Sequence, residues 1–182
     1  MPARRVAGTG RLVGELVLAA AVLGLVAGLL WSVLAPDIQG EVTATGVTIS
    51  TAEASRQFGV DGWFAVTAAV GGLLLGAVSF ARHRSRPATA LLVLVFAGMI
   101  AAAAQWWFGT LLGPGPVEDR SADLPTGAAV SMPLELNAPA VLLVWSIAVV
   151  VGALLVAAFL DDREPWRYQL SRRGRSEPSS PP

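Results

Sequence analysis

The sequence predicts an all-α integral membrane protein. It is a four-transmembrane-helix bundle, N-in/C-in, with a small extracytoplasmic β-hairpin or sheet cap built from two outer loops. Three observations carry this reading. Hydrophobic residues make up 54% of the 182, and charged residues only 14%, against roughly 25% charged in soluble domains. The charges are clustered, which leaves four long apolar stretches at 12–34, 62–81, 88–112 and 138–160. A helix needs about 20 such residues to cross a hydrocarbon core about 30 Å thick. The last three stretches hold no Asp, Glu, Lys, Arg or His, and the first holds only Glu15.

Residues 1–11 read as a cytoplasmic N-terminus. Arg4, Arg5 and Arg11 precede the first apolar run, as in a signal peptide, but that run exceeds the ~7–15 residues of a signal core. A cut within "SVLAPD" would also place Pro36 directly after Ala35. The first span, 12–34, is therefore expected to stay uncleaved, and Pro36 ends it.

The first outer loop is 35–61. In "EVTATGVTIS" (41–50), Val42 and Ala44, then Val47 and Ile49, alternate with polar residues, and Thr45-Gly46 reads as the turn of a hairpin. "STAEASRQF" then reads as a short helix with Ser50 and Glu53 as a capping box. Phe58-Gly59 is expected to end it, with Gly59 in the left-handed conformation. Asp61 is placed to cap the second span, 62–81, and Arg56 to pair with Glu53. A cytoplasmic turn, 82–87, follows as "RHRSR" plus Pro87, which suits the first turn of the third span, 88–112.

"GPGP" (113–116) opens the second outer loop, 113–137. Its "AVSMPLEL" (129–136) alternates through Val130, Met132, Leu134 and Leu136, with Pro133 confining it to a sheet edge. Since a lone hairpin is marginal in water, this strand is expected to join the first loop in one cap. Asn137 before Ala138-Pro139 reads as the N-cap of the fourth span, 138–160. The tail, 161–182, ends in "SRRGRSEPSSPP", a composition that reads as disordered at its end.

Charge sets the orientation. All 13 basic residues are arginine, a composition expected of a GC-rich bacterial genome. Eleven of them lie on the side of the termini and the 82–87 turn, including Arg163, Arg167, Arg172, Arg173 and Arg175. The other side keeps Arg56 and Arg120 against Asp37, Glu41, Glu53, Asp61, Glu118, Asp119, Asp123 and Glu135. The positive-inside rule then puts both termini in the cytoplasm. Trp31, Trp63, Trp106 and Trp107 are expected at the outer headgroups, and Trp166 and Tyr168 at the inner ones, leaving Trp145 inside the membrane.

Small residues recur every fourth position: Ala20-Gly24-Gly28, Ala68-Gly72-Gly76, Ala97-Ala101 and Ala148-Gly152. Such faces pack helices in lipid. They are expected to close the bundle itself, or alternatively to dock a membrane-protein partner or a second copy.

No residue is assigned a catalytic, cofactor-binding or metal-binding role. The chain has no cysteine, which excludes disulfides and thiolate chemistry. His83 stands alone among arginines, a poor metal ligand. Glu15 lies near the start of the first span and reads as interfacial, although an acid within a span is a functional candidate by default. Gln105, just before Trp106-Trp107, reads as an interhelical hydrogen-bonding residue. Glu118, Asp119 and Asp123 lack the spacing of a calcium loop. No G-x-S-x-G, HExxH, Walker A or dinucleotide fingerprint is present.

"FGVDGWFAV" and "LGPGP…MPLELNAPAVLLVW" together resemble a family of small actinobacterial membrane proteins of unknown function. The resemblance implies a four-helix bundle in the bacterial plasma membrane and supplies no catalytic residues. Where that family often has proline after the fourth-span tryptophan, this chain has Ser146.

The expected function is that of a non-enzymatic accessory or structural membrane component acting through protein partners. The alternative is a small transporter or channel subunit using Ser32, Thr67, Ser79, Gln105, Thr110 and Ser146. A membrane enzyme built on the outer carboxylates is the least favoured. The lipid bilayer is an expected partner; no cofactor and no nucleic acid are expected.

Overall fold

A computed structural model describes residues 3–82 and 87–161, with side chains at 10, 13–82 and 91–159. His83, Arg84, Arg86, the tail arginines, Trp166 and Tyr168 lie outside the described residues.

The chain runs α1 (Ala3–Leu34), β1 (Gln39–Thr43), β2 (Gly46–Thr48), α2 (Thr51–Arg82), α3 (Pro87–Leu112), α4 (Val117–Ser121), β3 (Ala129–Ser131), a 3-10 turn (Pro139–Leu142) and α5 (Leu143–Asp161). The regions of α1, α2, α3 and α5 are each long and apolar enough to cross a membrane. The three strands form one antiparallel sheet, ordered β2-β1-β3. The expected cap, with both loops contributing, is present.

The four long helices make two tight parallel pairs, α1 with α3 and α2 with α5. A Cβ added to Gly24 would strike Ala101 O, and one on Gly28 would come within 2.7 Å of Gln105 O. Gly72 meets Ala148 and Trp145 O, Gly76 meets Val149 O, and Gly152 meets Leu73 O. The small-residue faces are thus spent on packing within the chain. Rising residue numbers on both partners make each pair parallel. The pairs join through α1–α2 and α3–α5 contacts, and α2 touches α3 across the diagonal.

Small residues fill much of the helix interfaces, around a few large buried side chains such as Trp31, Trp145 and Phe64. Ala20, Ala27, Ala68, Ala97, Ala101, Ala102 and Ala153 are buried, while Leu18, Val22, Val70, Leu74, Leu92, Phe96, Leu154 and Phe159 are exposed. An exposed aliphatic exterior of this kind is rare on soluble monomers. In lipid, aliphatic side chains outside cost nothing and small ones inside let backbones approach.

Several expectations are corrected. The short helix and the second span are one continuous 32-residue helix, α2. Gly59 does not terminate it; the only positive-φ glycines among the described residues are Gly46 and Gly127. Gly59 instead faces Pro36, whose Cγ would sit 3.1 Å from a Cβ there. The hairpin turn is Ala44-Thr45, one residue earlier than expected, and Gly46 opens β2 at φ 136°. Helix α1 begins at Ala3, so Glu15 lies more than three turns inside it and not near the helix start. Trp31 is fully buried, not seated at a headgroup surface.

Candidate functional site

Two places concentrate polar chemistry. The first is a network where α2, α3 and α5 converge. Gln105 is fully buried on α3. Its Nε2 donates to Thr67 Oγ1 at 2.8 Å and to Phe64 O at 3.2 Å. Its Oε1 accepts from Trp145 Nε1 at 2.5 Å. Thr67 donates back to Trp63 O at 2.9 Å, the local bond a helical threonine ordinarily makes. One side chain therefore ties three helices, the interhelical role expected of it.

One turn above, Trp31 Nε1 donates to Val60 O at 2.9 Å, and its ring meets Phe64 edge-on at 5.1 Å. This bond explains why Trp31 is inside: the indole N–H finds a backbone acceptor on α2 and need not seek the headgroups. Gly109 supplies the room, since a Cβ there would collide with the Trp31 ring. Gly71 does the same for Trp145.

Asp61 is buried in the second turn above the network. Its carboxylate accepts from the backbone N–H of Asn137 and of Ala138, each at 3.1 Å. Asp61 thus caps the start of the fourth span, not the second. Asn137 is not the N-cap; Ala138 holds that position, with no side-chain cap of its own. The carboxylate reaches across from α2 because α2 continues past it, which leaves no free N-terminus there to cap.

The second place is the cap. Glu53 accepts from Gln39 N at 3.2 Å and pairs with Arg56 at 3.2 Å, while Ser50 Oγ accepts from Glu53 N at 3.2 Å. The expected capping box is half made, because the Glu53 carboxylate turns to the sheet. Ser131 Oγ donates to Asp37 at 3.2 Å and lies 3.0 Å from Gln39 Nε2, whose amide also donates to Asp37. On the free side of β3, Arg120 Nη1 donates to Ser131 O at 2.7 Å.

A cleft of about 280 Å³ lies between the ends of α1 and α3 and the Ser131–Leu134 strand. A larger groove of about 750 Å³ runs between the end of α3, α4 and residues 132–136. Trp106, Thr110, Met132 and Leu134 are among its walls, with Glu118 and Glu135 on it. Glu118, Asp119 and Asp123 form no cluster suited to a metal ion; none of three or more ligands exists among the described residues. Sequence reasoning missed the groove because it forms only where separate loops meet.

No known family model matches the chain, and no curated protein or solved structure matches it.

Proposed function

We propose that this chain is a non-enzymatic accessory or structural component of the bacterial plasma membrane, with both termini cytoplasmic and the sheet outside. It acts through protein partners that engage the cap. Its kinship, on the two junction motifs quoted above, lies with the small actinobacterial four-helix proteins.

What carries this reading is how the polar groups of the spans are used. Ser32 donates to Leu29 O, Thr110 to Trp106 O, and Ser146 to Val95 O of the neighbouring helix. Gln105 and Thr67 satisfy each other and the backbone. No buried side-chain polar atom among the described residues lacks a partner. A transporter or channel subunit needs a polar route with groups free to exchange partners, and these are committed inside the chain. The glycine faces are committed too, so a partner or second copy would meet the cap or the aliphatic exterior.

The test is photocrosslinking in native membranes. A crosslinker replaces Glu41 or Asp119 in the cap, and Leu74 on the lipid-facing side. The expected result is a discrete protein adduct from cap positions and only lipid adducts from position 74. Solute flux in proteoliposomes that disappears with Gln105→Leu would overturn the reading in favour of transport.

A further inference from the structure

The groove beside α3 continues a lipid-facing stripe. Leu92 and Met99 are exposed on α3, as is Ala103, and Trp106 and Thr110 follow at the spacing that keeps one helix face. The stripe runs up into the groove, whose upper wall is Met132, Leu134 and Leu136. An apolar chain lying along the stripe would pass under this wall and meet, before Glu118 and Glu135, only the Thr110 hydroxyl, which is bonded to its own helix.

Those two carboxylates are exposed and form no ion pair among the described residues. No basic side chain lines the groove. Arg120, the nearest in sequence, is turned onto Ser131 O. The rim therefore favours a cationic group and disfavours a headgroup of net negative charge. The groove holds the exposed Trp106, a residue type favoured at headgroup level.

We propose that the groove is a binding site for a phospholipid of the sheet-side leaflet bearing a primary ammonium headgroup. One acyl chain lies along the Met99–Trp106–Thr110 stripe. The ammonium donates charge-assisted hydrogen bonds to Glu118 and Glu135. A quaternary headgroup cannot donate those bonds, and an anionic headgroup meets like charge. The inference rests on the four helices crossing a bilayer and stands apart from the partner reading. Absence of a crosslinked partner leaves it intact, and absence of lipid selectivity leaves the partner reading intact.

The full chain is incorporated into vesicles of equimolar phosphatidylethanolamine, phosphatidylcholine and phosphatidylglycerol. It is then released in mild detergent and weighed with its bound lipid by native mass spectrometry. Phosphatidylethanolamine is expected to be retained about threefold to fivefold over each of the others, the scale of exposed ionic contacts. Glu118→Gln with Glu135→Gln should abolish the preference, with helicity by circular dichroism unchanged. Asp119→Asn with Asp123→Asn removes the same charge outside the groove and should leave the preference in place. Trp106→Ala should lower retention of all three lipids. Equal retention of the three, a preference for phosphatidylglycerol, or the same loss from the Asp119/Asp123 variant would overturn the proposal. So would displacement of all bound lipid by an arginine-rich peptide, which would assign the groove to a protein segment.

Discussion

Inside the bundle, helices meet through glycine and alanine at backbone contact, and one buried amide joins three of them. At the sheet end, short strands are held by carboxylates, an arginine and backbone hydrogen bonds, with few buried large side chains. The proposed bilayer setting accounts for the contrast. Within the hydrocarbon no hydrophobic force drives helices together, so close packing and satisfied polar groups must do it. Above it, water competes for every exposed ion pair, which leaves such pairs worth little. The bundle should therefore be sensitive to added volume, and the cap sensitive to lost connections to the bundle more than to lost surface charge.

The severest way to break the bundle is Gly76→Leu, because the new side chain meets the backbone of Val149, which cannot give way. A loss of about 3 kcal/mol is expected in reversible detergent unfolding. Stability within error of the parent would refute the packing assigned to α2 and α5. Next comes Gln105→Leu, which strands the Trp145 N–H and should cost about 1–2 kcal/mol. In a double-mutant cycle, Trp145→Phe should cost less on that background than alone; strict additivity would show that the two do not interact. Asp61→Ala tests the tie between bundle and second loop, with a cost of about 1 kcal/mol. Hydrogen exchange at Asn137 and Ala138 should accelerate while α3 stays protected, and unchanged exchange there would count against the clamp. Arg120→Ala should do less still, raising exchange in β3 with no change in bundle unfolding. Smallest of all, Arg56→Ala should leave stability unchanged, because the Arg56 side of its pair with Glu53 is 60% exposed.

The sequence told more about the bundle than about the cap's connections. Apolar length and charge gaps located the four long apolar helices, though not the starts of the first two, and period-two alternation located all three strands. The four-residue spacing of small residues located the faces that close the pairs. What misled was local chemistry that tertiary contacts override. Phe58-Gly59 looks like a helix end, yet Val60 O accepts Trp31 and Pro36 packs on Gly59, so the helix continues. Asn137 looks like a cap, yet a carboxylate 76 residues away does the capping. Trp31 looks like a headgroup anchor, yet the space opposite Gly109 admits it to the core. Each error concerns a partner distant in sequence, which no local pattern encodes. The groove belongs to the same class, since α3, α4 and residues 132–136 form it jointly.

The pairing of α1 with α3 and of α2 with α5 bears on how the chain is made. Synthesis delivers α1 and α2 as one antiparallel hairpin, then α3 and α5 as another. Each hairpin holds one member of both tight couples and neither couple entire. In the proposed bilayer, Gly24, Gly28, Gly72 and Gly76 would face lipid until the second half is inserted. On that reading the tight couples close only once the whole chain is present, and the two halves, expressed as separate polypeptides, are expected to associate within the bilayer.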